Sequence, residues 1–149
     1  MSPKLIYLDV CVLCRPFDDQ QQARIRLETN ALQLILAQTA KSDLSVIVSP
    51  VHTIEIQAIQ NSEERQHLLM LLARIGSQHQ FELSVVRQRA EELADEGMGV
   101  ADAAHVAFAE FVQADFVTVD DRLLKQCKRV ELKVWSGSPL AYCDKENLQ

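Results

Sequence analysis

Four carboxylates fall where a parallel sheet would gather them. Asp9 closes the apolar run Leu5-Ile6-Tyr7-Leu8, and Asp120 closes Phe116-Val117-Thr118-Val119. Glu55 comes about a turn and a half into the helix expected after Leu44-Ser45-Val46-Ile47-Val48. Asp102 lies near the start of an Ala-rich helix that follows Gly99. In open parallel sheets, sites form outside the carboxyl ends of the strands. Each acid alone has an ordinary explanation: a turn at Asp9, a solvated face at Glu55, a helix dipole at Asp102, an N-cap at Asp120 or Asp121. Together at one rim they would repel, and repulsion in a partly desolvated site raises carboxyl pKa values. A cation removes that cost. Oxygen-only ligands suit Mg²⁺ or Mn²⁺ rather than zinc, and such ions commonly bridge to phosphate oxygens, so the implied substrate is a phosphodiester.

The elements that must position these acids read as follows. Leu5–Leu8 is a short apolar run expected to be a strand buried on both faces. Arg15–Asp19 reads as a loop and residues 21–40 as a helix, broken at Ser42-Asp43. Leu44–Val48 is β-branched and short, a second strand. Ser49-Pro50 opens a helix with Val51, Ile54 and Ala58 on one face. A strongly apolar helix spans Leu68 to Ile75 and ends at Gly76. Phe81-Glu82-Leu83 is a candidate third strand, and Ser84 a candidate cap for a helix reaching Glu96. Gly97-Met98-Gly99 is a break, and Val100–Gln113 is expected to be a central buried helix. Phe116–Val119 is a fourth strand, followed by a short helix. Val130–Trp135 is a last strand, with a tail from Ser136. Alternating strands and helices predict a three-layer α/β/α sandwich around a mostly parallel sheet.

Composition narrows the function classes. The 149 residues fit one domain, with a core of about 4–136 and a tail of 137–149. At 48% apolar residues, a chain of this size needs no disulfide or metal merely to fold. No apolar stretch is long enough for a membrane span, and the first run stops at Asp9, so no signal peptide is expected. The four glycines make neither a dinucleotide fingerprint nor a P-loop, and the four cysteines make no disulfide framework. A cytoplasmic protein is the expectation. The net charge of -6 argues against non-specific nucleic-acid binding, which normally shows as a basic surplus.

The order Tyr7-Leu8-Asp9, Ser49-Pro50-Val51-His52-Thr53-Ile54-Glu55, Gly99-Val100-Ala101-Asp102-Ala103-Ala104-His105 and Phe116-Val117-Thr118-Val119-Asp120-Asp121 resembles a PIN domain. It is most similar to the VapC-like toxins of prokaryotic toxin–antitoxin pairs, over about residues 4–136. The resemblance implies a PIN-like α/β/α fold and an endoribonuclease dependent on Mg²⁺ or Mn²⁺. Its acidic site would be Asp9, Glu55, Asp102 and Asp120, all candidate metal ligands. Thr118 would support a ligand through its hydroxyl, and Asp121 is a weaker candidate, since it also reads as the cap of the next helix. Apart from the resemblance, Arg122 is the cation of its basic run nearest Asp120, two residues away, and the one expected to face the RNA. An antitoxin partner and a homodimer are also implied.

The chain departs from the family pattern after the first acid. Val10 and Cys11 stand where Thr or Ser and then Asn or Ser are usual. Loss of groups that orient a metal ligand can cost about 10–100-fold in affinity or activity. A catalytically degenerate PIN domain that only binds RNA or protein is therefore the alternative. A receiver-type phosphoacceptor domain fits poorly: the convincing acid pair is at 120–121, and no Lys stands directly after the last strand. Cys11-x-x-Cys14 lacks a second pair and reads as structural. His105 shares a helix face with Asp102, three residues earlier, and reads as a packed helix residue. Arg122, Lys125, Lys128, Arg129 and Lys133 form the densest basic run.

Overall fold

A computed structural model describes residues 3–41 and 43–149; Ser42, in the expected break before the second strand, lies outside the described residues. Five strands form one sheet: β1 (Lys4–Leu8), β2 (Leu44–Val48), β3 (Gly76–Gln78), β4 (Asp115–Val117) and β5 (Ser136–Gly137). Their order is β3-β2-β1-β4-β5, and all four pairings are parallel. β1 is central, with Ile6 in register with Val46 on one side and Asp115 on the other. The carboxyl end of β1 therefore opens beside the chain leaving β4.

Alternation along the strands builds the two outer layers. Ile6, Leu8, Val46 and Val117 point to one face, where they pack with α1 (Val10–Leu13), α2 (Ala23–Thr39), α3 (Pro50–Gln57), α4 (Ser62–Ile75) and α8 (Pro139–Glu146). Tyr7, Ile47 and Phe116 point to the other, against α5 (Leu83–Asp95), α6 (Val100–Val112) and α7 (Asp121–Arg129). The result is a three-layer α/β/α sandwich with an all-parallel sheet. No helix of the described residues is long and apolar enough to cross a membrane.

Several boundaries differ from the sequence reading, each for a local reason. The third strand is Gly76–Gln78, not Phe81–Leu83. Phe81 instead packs edge-on against Phe108, ring centroids 4.7 Å apart, and Glu82 rather than Ser84 precedes the next helix as its N-cap. Gly76 both ends α4 and opens β3, because a Cβ there would lie 2.3 Å from Val48 Cγ2 and 2.4 Å from the Leu72 carbonyl oxygen. On α3 the buried residues are His52 and Ile56, while Ile54 is 66% exposed. Arg15–Phe17 forms a short 3₁₀ turn in the expected loop.

The last strand is Ser136–Gly137 rather than Val130–Trp135. Backbone groups of that segment are bound by side chains: the Lys133 N–H donates to Glu110 Oε2 at 2.7 Å, and Arg89 donates to the Glu131 carbonyl. The ladder to β4 begins only at the Trp135 carbonyl, which accepts the Phe116 N–H at 2.8 Å. The C-terminal segment is not a tail. α8 packs on α2 with Tyr142 and Cys143 buried, and Trp135 meets Tyr142 edge-on.

Candidate metal centre

Asp9 sits at the carboxyl end of the central strand. Its N–H donates to the Val117 carbonyl, and its own carbonyl accepts from the first turn of α1. That anchoring fixes the backbone, and the residue is only 6% exposed. Its carboxylate is held on one side only. Oδ2 accepts the Thr118 hydroxyl at 2.8 Å and the Cys11 thiol at 3.3 Å. The Thr118 hydroxyl oxygen in turn accepts the Asp120 N–H at 3.1 Å, so the turn leaving β4 is tied to the end of β1. Burial, then the charge of Asp9, pushes the Cys11 thiol up to about 12, so it keeps the proton it donates. Cys11 thus supplies part of the orienting contact that the sequence pattern had marked as missing. Val10 is buried and apolar in the core.

Glu55 projects from α3 to the same place. Ser49 and His52 start that helix with a reciprocal cap: the Ser49 side chain accepts from the His52 N–H, and His52 Nδ1 accepts the Ser49 N–H at 3.1 Å. His52 Nε2–H donates to the Leu8 carbonyl at 2.7 Å. Both ring nitrogens are therefore committed. Burial, helped by neighbouring His105, pushes His52 down to about 4 and keeps it neutral.

A buried chain of polar groups ends at Glu55. The Ser49 hydroxyl meets Tyr7 Oη at 2.6 Å, Tyr7 Oη meets His105 Nδ1 at 2.5 Å, and His105 Nε2 meets Glu55 Oε1 at 2.7 Å. The hydrogen bond from His105 lowers the Glu55 carboxyl below its ordinary range. Desolvation raises the Tyr7 phenol well above its own, so it remains a neutral donor. His105 is 1% exposed, and its Nε2 also lies 3.8 Å from Asp9 Oδ1.

Asp9, Glu55 and His105 form a tight group, with one ligand atom from each all within 4.8 Å. Asp102 and Asp120 are not part of it. Asp102, half-buried in the first turn of α6, has its carboxyl raised by desolvation and then by the charges of Asp9 and Asp120. Asp120 is exposed and caps α7, its Oδ1 accepting the N–H groups of Arg122 and Leu123 at 2.9 and 3.2 Å. Asp121 is therefore not the cap. Arg24 grips it through two hydrogen bonds of 2.8 and 2.9 Å. Arg122 is exposed.

Sequence reasoning set His105 aside as packing. It is packed, but it also faces the acids. The trace of this was its position one helical turn after Asp102. The donor chemistry fits a divalent cation: two carboxylates and an imidazole converge, further negative charge lies beside them, and Asp9 Oδ1 is left without a hydrogen bond among the described residues.

Solved structures carry the same architecture. VapBC-1 from nontypeable Haemophilus influenzae aligns with a TM-score of 0.60 at 13% identity, over 91% of this chain and 98% of that one. The fold is PIN-like. VapBC2 from Rickettsia felis, bound to a DNA fragment from their promoter, aligns at 0.58 and 16% identity, over 90% of this chain and 98% of that one. FitAcB from Neisseria gonorrhoeae aligns at 0.54 and 15% identity, over 91% and 98%. No protein-family model and no curated protein matches the chain. At these identities the PIN-like likeness is one of fold.

Proposed function

We propose that this PIN-like protein is a metal-dependent endoribonuclease that hydrolyses RNA phosphodiester bonds, the toxin of a toxin–antitoxin pair. The observation that carries this reading is Asp9, oriented by Thr118 and Cys11 and facing Glu55 at the sheet's carboxyl edge. Asp9, Glu55, Asp102 and Asp120 would hold Mg²⁺ or Mn²⁺. Such an ion, when bound, supplies a water of lowered pKa and neutralises charge developing at phosphorus. The chain's own groups do the positioning. Thr118 and Cys11 aim one oxygen of Asp9 by holding the other, and His105 holds Glu55. Arg122, exposed beside Asp120, is suited to a phosphate of the strand. The likeness to VapBC and FitAB structures supports an antitoxin partner and a VapC-like role. The proposal also takes the protein to be a single-domain cytoplasmic homodimer, on the resemblance of its motifs alone.

The test is cleavage of cellular RNA by the purified protein, read by mapping new ends with and without Mg²⁺ or Mn²⁺. Metal-dependent cleavage by the wild type, abolished in Asp9→Asn and in Asp102→Asn with the fold intact, is expected. Unchanged cleavage by both variants would sink the site assignment. RNA binding without cleavage in either metal would favour the degenerate binding module instead.

A further inference from the structure

We propose that His105 is itself a ligand of the divalent ion, making the centre a mixed nitrogen–oxygen site of Asp9, Glu55 and His105 that prefers Mn²⁺ to Mg²⁺. The inference rests on the metal-dependent reading above and goes beyond it in naming a nitrogen donor. Three observations carry it.

The first is spacing. Ligand atoms held about 2.1 Å from one ion lie about 3.0–4.2 Å from one another, from adjacent to opposite positions of an octahedron. His105 Nε2 is 2.7 Å from Glu55 Oε1 and 3.8 Å from Asp9 Oδ1. All three ligand atoms lie within 4.8 Å of one another, so opening the Nε2–Oε1 pair by about 0.3 Å and holding the two carboxylates within about 4.2 Å would seat one ion among them.

The second is the state of the donors. Both hydrogen bonds to the Asp9 carboxylate fall on Oδ2, leaving Oδ1 on a side chain that is 9% exposed, turned toward His105. His52 has both nitrogens occupied. Of the two buried histidines here, only His105 has a nitrogen facing carboxylates.

The third lies behind the ring. A metal-ligating histidine nearly always donates its other N–H to a fixed acceptor. Tyr7 Oη, 2.5 Å from His105 Nδ1, can serve, because its own O–H can then turn to Ser49 Oγ at 2.6 Å. The Ser49–Tyr7–His105 chain works in either direction. In one, His105 Nε2–H donates to Glu55; in the other, Nε2 offers a lone pair to the ion and Nδ1–H donates to Tyr7. Imidazole favours first-row transition ions over Mg²⁺, which selects by oxygen and hydration.

Pulsed EPR of the Mn²⁺-loaded protein tests this directly, because a bound imidazole leaves a ¹⁴N coupling on the ion's spectrum. Expected are that coupling in the wild type, its loss in His105→Gln, and a Mn²⁺ Kd raised about tenfold or more in the variant, with a smaller change for Mg²⁺. If His105→Gln does not fold, ¹⁵N-labelling the histidines of a His67→Gln/His79→Gln protein gives the same assignment, since His52 then has no free nitrogen and His105 is the remaining histidine. Mn²⁺ bound with no nitrogen coupling would overturn His105 as a ligand and leave the metal-dependent reading standing. No Mn²⁺ binding that Asp9→Asn abolishes would overturn both.

Discussion

The carboxyl of Asp102 is half-buried and faces the charges of Asp9 and Asp120, and its pKa is raised by desolvation first and those charges next. A carboxyl whose folded pKa lies above its unfolded one favours folding when protonated, and that contribution is lost as pH rises through the folded value. At pH 7 the ionised group therefore works against the metal-free fold. Asp102→Asn should raise the Tm in EDTA at pH 7, with the gain shrinking as pH falls toward the ordinary Asp value. Thermal melts across pH check it; an unchanged or lower Tm at pH 7 would show that Asp102 is not strained by its neighbours. The placement of Asp9 was legible in the sequence, because an acid straight after an apolar run is placed by the strand itself. His105 was not, since its role depends on Glu55, 50 residues away, and on Tyr7 in the central strand. Cys11 was hidden differently. Its thiol was read as an absence of hydroxyl and amide, and only the 3.3 Å approach to Asp9 shows it as a donor.

Among the elements, the central strands were the readable ones. β1 and β2 are short apolar runs because their inner residues are covered on both faces, and that leaves a composition mark. β3 and β5 are edge strands of three and two residues, Gly-Ser-Gln and Ser-Gly, with no such mark. The more apolar segments nearby form no strand: Phe81–Leu83 leads into α5, and Val130–Trp135 runs as irregular chain. The segment before β5 is held by a buried ionic clamp. Glu110, its side chain 3% exposed, accepts from Arg89 Nε at 2.6 Å and from the Lys133 N–H at 2.7 Å. Removing one partner of a buried pair costs about 3–5 kcal/mol, and because Arg89 is itself 19% exposed the lower end applies. Arg89→Ala should therefore destabilise the protein by about 3 kcal/mol in urea melts and speed amide exchange at residues 131–136. Asp121→Asn, which weakens only the exposed pair with Arg24 and leaves the Arg24 bonds to Glu28 and the Val119 carbonyl in place, is the contrast, with a much smaller loss. Equal losses would mean that the clamp is no more than a surface pair.

For the whole molecule, the net charge of -6 and the proposed RNA substrate pull in opposite directions, and the layout of the fold reconciles them. The acids gathered at the carboxyl edge repel phosphate until a divalent ion sits among them. The nearest compensation is α7, where Arg122, Lys125, Lys128 and Arg129 are all exposed on the helix that Asp120 caps. RNA affinity should then be weak in EDTA and rise when Mn²⁺ is added. It should also rest on few cations: with at most four phosphate contacts from α7, log Kd should change with log salt by no more than about 3, since single strands lose about 0.7 per contact. Replacing Lys125 and Lys128 by Ala should flatten that slope by about 1.4 if both touch the strand. Fluorescence anisotropy with a labelled single-stranded RNA, in EDTA and then in Mn²⁺ at times too short for cleavage, reads all three quantities. Tight binding in EDTA would mean that the strand avoids the acidic edge altogether, and the substrate path would have to be sought on another face. The same ion should stabilise the fold by mass action, about 2.7 kcal/mol at a free concentration one hundred times Kd, and Asp9→Asn should lose that gain.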